Sequence, residues 1–374
     1  MSEQPRTLSA SWSLSFALLG DTFLYAFLPL HAASVHVPLG WVGVLLSVNR
    51  FVRLGLTPWM AVLFERFGFR RLAIGAAGLA IVSTAGYGWG WGVGGWLLLR
   101  VGWGLAFAVL RLAALRYALD HPRPGLALGL SRGVSELGPL AALAAGPWVL
   151  AHSSAAVTFG GLALGSGPAL WFAYRLPERR DGPVPAQGPR FAVPSLVNGL
   201  TFLAAFAVEG LVAVVAGGLL RRAYPGATLA AVTAGVAGYL LLRRLCAAAF
   251  SPAGGWLADR YGLEKVYAVS LGLVGTGLLL LADGQTLAGL LGLAVFNSAN
   301  AALAVGGALA GRAPTTRGVA KTVAWRDAGA AGGALAAGFL LASGGVALVL
   351  LLSGVALLGL LARYVGAFLP PFKN

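Results

Sequence analysis

Apolar residues run through this chain in stretches of about twenty or more, broken by short segments where arginine, glycine and proline gather. A helix of about 20 residues spans the hydrocarbon core of a bilayer. The stretches lack the strict alternation that a lipid-facing barrel strand needs. The pattern therefore predicts twelve membrane-spanning helices, at roughly 9–32, 39–64, 72–91, 93–118, 124–150, 155–175, 194–219, 233–258, 264–282, 286–311, 320–342 and 345–368.

The polar breaks sort by charge. Arg66, Arg70 and Arg71 follow the second span, Arg116 and Arg123 the fourth, and the segment "RLPERRDGPVPAQGPR" the sixth. Arg260 and Lys265 follow the eighth, and Arg312, Arg317 and Lys321 the tenth. The alternate breaks "AASVHVPL", "GWGWGVGG", "AHSSA" and "ASGG" hold no lysine or arginine. Positive loops stay on the cytoplasmic side. Both termini and the central linker are thus expected in the cytoplasm of a multi-pass protein of the inner (plasma) membrane. Arg221 and Arg222 break the pattern, as long side chains do when they snorkel at a helix end.

The pattern also repeats. Shifted by 194 residues, Arg50 falls on Arg244, Pro58 on Pro252, Glu65 on Asp259, Arg66 on Arg260, Gly68 on Gly262 and Arg71 on Lys265; Arg132 falls on Arg326. One offset joining the second span to the eighth and the fifth to the eleventh predicts two six-helix pseudo-repeats of parallel topology. These are residues 1–175 and 195–374, with a linker at 176–194. Such halves create a central cleft.

Composition narrows the class. The 374 residues are 58% hydrophobic and 10% charged, against about 25% charged in soluble domains, so the fold class is all-α integral membrane. The net charge of +15 would suggest nucleic acid in a soluble protein; here it follows the loops, and no nucleic-acid partner is expected. Cys246 is the only cysteine, and His31, His36, His121 and His152 lie near span ends without metal-ligand spacing. No metal or cofactor is expected. The segment "MSEQPRTLSASW" lacks a signal-peptide pattern, and the first span is read as retained.

"AVLFERFGFRR" (Ala61–Arg71) and "GWLADRYGLEK" (Gly255–Lys265) resemble the loop signature of the major facilitator superfamily. The first copy departs from the pattern, with Ala61 for glycine and Glu65 for aspartate. The resemblance covers the whole chain and implies an alternating-access transporter fold. "RVGWG" (Arg100–Gly104) resembles the family's Arg-x-x-x-Gly element, whose arginine is tied to proton coupling. "GVSELGP", ending in Gly138–Pro139, resembles the Gly-Pro element of antiporters, although Ala142 and Leu143 replace the glycines usual after it. In physical terms Glu65 and Asp259 sit at helix ends, where a carboxylate pairs with arginines or with the positive N-terminus of a neighbouring helix. Glu65, Arg66, Gly68, Arg70, Arg71, Asp259, Arg260, Gly262 and Lys265 are thus the expected cytoplasmic gate.

Charges deep in the spans are the second signal. An ionised group at the bilayer centre costs at least ~2.5–3.5 kcal/mol and needs a partner or water. Deep in the spans lie Arg50, Arg53, Arg100, Arg111, Arg132, Arg243, Arg244 and Arg326, against the acids Asp21, Glu136, Glu209 and Asp327. Arg50 lies about ten residues into its span, roughly 15 Å. Arg50 and Arg244 are expected either to pair with Asp21 and Glu209 or to capture an anion. Arg132 and Glu136 stand i,i+4, while adjacent Arg326 and Asp327 point about 100° apart. Arg111 and Arg116 are expected to snorkel.

Asn49, Asn297 and Asn300 complete the expected cavity set with Arg50, Arg53, Arg132, Arg244 and Arg326. Asp21, Arg100, Glu136, Glu209 and Asp327 are the candidates for proton coupling. The arginine surplus favours an anionic or zwitterionic small molecule, since arginine keeps its charge. "GLSRG" (Gly129–Gly133) fits a hydrolase elbow but lies within a span without a triad histidine, and no phosphate-binding loop is present. The expected function is therefore not enzymatic. It is secondary transport by a monomer, with export of an anionic or amphipathic metabolite by proton coupling ahead of uptake of an organic anion. A sensor or scaffold of the same fold is the remaining alternative.

Overall fold

A computed structural model describes residues 4–178, 195–295, 316–343 and 345–368. Among these residues the long elements are all helices. They are α1 (Gln4–His31), α2 (Leu39–Phe67), α3 (Phe69–Gly86), α4 (Gly92–Leu119), α5 (Pro124–His152), α6 (Ala155–Gly165) and α7 (Pro168–Tyr174). There follow α8 (Leu196–Ala204), a π-helical stretch (Ala205–Val212), α9 (Ala213–Ala223), α10 (Leu229–Tyr261) and α11 (Leu263–Ala282). α12 (Thr286–Val295), α13 (Thr316–Ser343) and α14 (Val346–Phe368) complete the set.

Local chemistry explains the boundaries. Ser154, Ser195 and Thr228 cap α6, α8 and α10 by accepting from the amides of Val157, Asn198 and Ala231 at 3.2–3.3 Å, which satisfies donors the helix itself cannot. Gly68 and Gly262 close α2 and α10 with φ of 80° and 98°, a conformation that glycine alone adopts at little cost. At Gly68 the chain bends by 110° into α3. The glycine of each loop signature is thus the corner that sends the chain back into the helical layer.

Five described stretches are long and apolar enough to cross a membrane: Gly92–Leu119, Ala155–Tyr174, Leu196–Ala223, Leu263–Ala282 and Val346–Ala367. The bent pair at Gly68 makes a sixth when counted as one span. The long helices α1, α2, α5, α10 and α13 also carry interior charges, as do α4 with Arg100 and the π-helical stretch with Glu209. Most of the span expected at 286–311 lies outside the described residues.

The chain packs as two compact units, 1–122 with 133–191 and 314–320, and 123–132 with 192–313 and 321–374. Helix α5 is shared by both. In the first unit α4 packs against α1, α2 and α3, around Trp96, Trp103, Phe23, Phe27 and Phe159, all buried. In the second unit α11 and α8 pack on α14, around Leu200, Val208, Leu211, Tyr267 and Leu271.

Candidate functional site

The seam between α2 and α4 holds the deepest charge of the first unit. Arg100 is 0% exposed. Its guanidinium pairs with Asp21 of α1, donates from Nε to the Leu45 carbonyl at 2.8 Å, and reaches the Tyr87 hydroxyl at 3.3 Å. One helical turn on, Gly104 lets α2 approach, and a methyl there would stand 3.1 Å from the Asn49 Cα. A turn further, the Arg53 guanidinium lies 4.9 Å from the centroid of Phe107. Leu45, Asn49 and Arg53 at four-residue spacing therefore meet Arg100, Gly104 and Phe107, three rungs on matching helical faces. The Arg-x-x-x-Gly element is explained by this register: the arginine needs the Leu45 carbonyl, and the glycine admits the backbone beside Asn49.

The pairing differs from the expected one. Asp21 is held by Arg100, because the rotation of α4 brings that guanidinium to the carboxylate; of the two alternatives for Arg50, pairing with Asp21 is therefore not the one seen. Arg50 is half-buried. Arg111 was expected to snorkel, yet its guanidinium turns back over Phe107, 5.7 Å from the ring centroid. Phe107 also stacks on Trp103 at 5.1 Å, and Arg100 lies over that indole at 5.7 Å. Phe107 is the residue the sequence reading missed. Its only signal is position, on the 100–103–107–111 face of α4.

In the second unit the pair is Glu209 with Arg326. Arg326 donates to Glu209 Oε1 from Nε at 3.0 Å and again from Nη2. The two side chains are 22% and 15% exposed, against 9% and 0% for Asp21 and Arg100. Glu209 lies within the π-helical stretch, and such stretches concentrate at functional sites. The stretch is braced by small residues of α13. A methyl on Gly210 would stand 2.6 Å from the Ala330 carbonyl, and one on Gly333 would overlap the Phe206 carbonyl. The two backbones touch, as small-residue faces allow in lipid.

The loop signatures behave differently from each other. Asp259 accepts from the amides of Gly125 and Leu126 at 2.8 Å each, so its carboxylate sits on the free N–H groups and positive end of α5. Glu65 is half-buried and has no hydrogen-bond or ion-pair partner among the described residues. Arg66 lies over Phe67, Arg70 over Tyr174 at 4.3 Å, and Arg260 over Trp256. Arg71 and Lys265 are exposed. Arg116 reaches towards the end of α4, where it pairs with Asp120.

Of the remaining candidates, Arg132 and Arg244 are half-buried, and Glu136 and Asp327 are buried. Asn49 is buried too, and its side-chain oxygen has no partner among the described residues. Asn297 and Asn300 lie outside the described residues. Within the described residues no group of three His, Cys, Asp or Glu side chains is placed to hold a metal ion.

A membrane-spanning helical chain with this element order and these loop corners has the fold of the major facilitator superfamily transporters. Among solved structures, that of the human organic anion transporter MFSD10 (TETRAN) is similar with a TM-score of 0.76 at 16% identity, over 97% of this chain and 100% of that one. The proton:xylose symporter XylE is similar at 0.69 and 14% identity, over 98% and 94%. The E. coli fucose:proton symporter FucP is similar at 0.69 and 16%, over 96% and 97%. No sequence-family profile and no curated protein sequence matches the chain.

Proposed function

We propose that this chain is a secondary active transporter that moves a small molecule by alternating access, with proton-coupled export of an anionic or amphipathic metabolite. Residues 1–175 and 195–374 act as two six-helix halves joined by a cytoplasmic linker at 176–194. The protein works as a monomer in the inner membrane with both termini cytoplasmic.

The observation that carries this reading is the Glu209–Arg326 pair. A coupling acid must be reached by water and must have a cationic partner whose hold changes when the acid takes a proton. Glu209 is partly exposed and held by Arg326, whereas Asp21 and Arg100 are more deeply buried, which supports Glu209 as the coupling acid. Protonating Glu209 weakens a charge-assisted bond between the π-helical stretch and α13, which biases the equilibrium between two states. Asp259 on the N-terminus of α5 supports a second role, holding one state closed until that contact breaks.

The test uses protein reconstituted in liposomes under an imposed pH gradient, with a panel of organic anions and an entrapped pH dye. Gradient-driven substrate movement and proton movement are expected together. Glu209→Gln should abolish gradient-driven accumulation and keep exchange of labelled substrate at equal pH. Unchanged gradient-driven accumulation in that variant defeats the assignment. Uptake of an organic anion by proton symport is the second reading, favoured by the two similar folds whose proteins are described as proton symporters. The direction of accumulation decides between them. A sensor or scaffold would show no flux.

A further inference from the structure

We infer that Arg70, Arg71 and Arg175, with the rings of Trp171 and Tyr174, hold the phosphate of an anionic phospholipid at the membrane surface of the α3–α7 seam. This goes beyond the transport reading and needs only that these helices span a bilayer.

The first observation is where the cations stand. Arg70 and Arg71 lie in the first turn of α3, and Arg175 follows the last turn of α7. The apolar span Ala155–Tyr174 ends at Arg175, and the second arm of the bent pair at Gly68 begins beside Arg70. Within the first unit α3 packs along α6 and α7. The three arginines therefore reach the same membrane surface at headgroup depth. Tryptophan and tyrosine gather at that depth, and Trp171 and Tyr174 are both exposed. A helix dipole disfavours cations in a first turn, so the stability of α3 does not ask for Arg70 and Arg71.

The second is how the guanidinium groups are held. That of Arg70 lies 4.3 Å from the centroid of Tyr174, and that of Arg175 lies 3.7 Å from the centroid of Trp171. Trp171 and Tyr174 stand i,i+3 on α7, so the two rings are neighbours. A guanidinium stacked on a ring is oriented by it and keeps its N–H edge for an acceptor. Among the described residues none of the three arginines has a hydrogen bond or an ion pair. Glu65 and Glu178, the acids nearest to them along the chain, pair with none of them.

The third is the surface that leads away from the charges. Arg71, Gly75 and Leu79 share one exposed face of α3 at four-residue spacing. Leu164 and Trp171 are exposed on the neighbouring span. A methyl on Gly75 would meet nothing within 4 Å, whereas one on Gly78 would reach Leu170 of α7 at 4.0 Å. The seam is closed at Gly78 and dented at Gly75. An apolar furrow thus starts at the arginines.

The repeat separates this arrangement from the general positive charge of the loops. At the offset of 194, Arg70, Trp171, Tyr174 and Arg175 fall on Glu264, Val365, Phe368 and Leu369. The second half puts an acid and a leucine in place of the arginines, so the scaffold does not require them. Orientation by loop charge needs cations and makes no use of rings beneath them.

The chemistry selects the occupant. Guanidinium forks match phosphate oxygens bidentately, and basic pockets between spanning helices recognise anionic headgroups. The furrow takes an acyl chain. A phospholipid uses both parts, and a free phosphate uses only the charge.

The experiment is native mass spectrometry of the delipidated full chain in detergent, titrated with phosphatidylglycerol and with phosphatidylcholine of the same acyl chains. Preferential binding of phosphatidylglycerol is expected, about five-fold weaker in each of Arg70→Gln, Arg71→Gln and Arg175→Gln. It should be unchanged in Arg222→Gln, whose arginine is exposed at the end of α9. Trp171→Leu keeps every charge, should weaken binding several-fold, and covers the case in which a charge variant fails to fold. Gly75→Leu extends into open space, fills the furrow and should weaken binding with the arginines intact. Inorganic phosphate should not displace the lipid. Equal binding of the two lipids, or binding indifferent to all three arginine substitutions, overturns the inference. Displacement by inorganic phosphate together with unweakened binding in Gly75→Leu overturns it in favour of a free anion.

Discussion

The Asp21–Arg100 pair offers a sharp test of which charges are structural. Asp21→Val removes the carboxylate that pairs with a guanidinium of no exposed surface, and arginine cannot shed its proton. Breaking a buried pair from one side costs about 3–5 kcal/mol, whereas replacing both partners by well-packed apolar groups is close to neutral. The chain carries its own precedent: at the offset of 194, Asp21 and Arg100 fall on Val215 and Ala294, both buried. Asp21→Val alone should therefore lower the melting temperature by roughly 6–10 °C, at about 2 °C per kcal/mol for a large chain. Arg100→Met alone should lower it as well, since it leaves the buried Asp21 carboxylate without the guanidinium that holds it. The double variant should recover most of the loss. Intrinsic fluorescence is a fitting probe, since the buried Trp103 indole lies under Arg100. If the double variant melts no higher than Asp21→Val, the two groups are not energetically coupled. The double variant should also keep pH-driven flux; its loss would move the coupling role from Glu209 to Asp21.

Two further outcomes follow from geometry already described. Asp259→Asn removes a charge from the N-terminus of α5, worth about 0.5–2 kcal/mol, so amide exchange at Gly125 and Leu126 should quicken by about two- to thirty-fold; unchanged exchange would show that the carboxylate does not hold that turn. Gly104→Val forces α2 and α4 apart at Asn49 and should cost about 1–3 kcal/mol, read as a lower melting temperature, whereas a wild-type melt would mean that the seam yields.

The long helices were legible because apolar length acts locally, while their ends lie up to five residues from where the pattern puts them, as at Gln4, Gly86 and Leu229. The breaks before α3 and α11 needed only Gly68 and Gly262 and the polar residues around them. The interior charges were legible as residues and not as pairs. Asp21 and Arg100 stand 79 positions apart, and which of several arginines meets an acid depends on helix rotation, which moves a side chain by about 100° per residue. Phe107 was hidden because an aromatic residue in a membrane helix is ordinary until its neighbours are known. The π-helical turn around Glu209 has no signal in "AFAVEGLV" that separates it from α-helix. The stretch packs backbone to backbone against α13 at Gly210 and Gly333, a tertiary contact that local sequence does not signal.

Three successive contacts join α2 to α4: Arg100 to the Leu45 carbonyl, Gly104 to Asn49, and Phe107 to Arg53. Slippage of either helix by one residue would unseat all of them together. The pair is therefore built to move as a single lever, with a tilt imposed on α2 from the corner at Gly68 passed to α4 through these contacts.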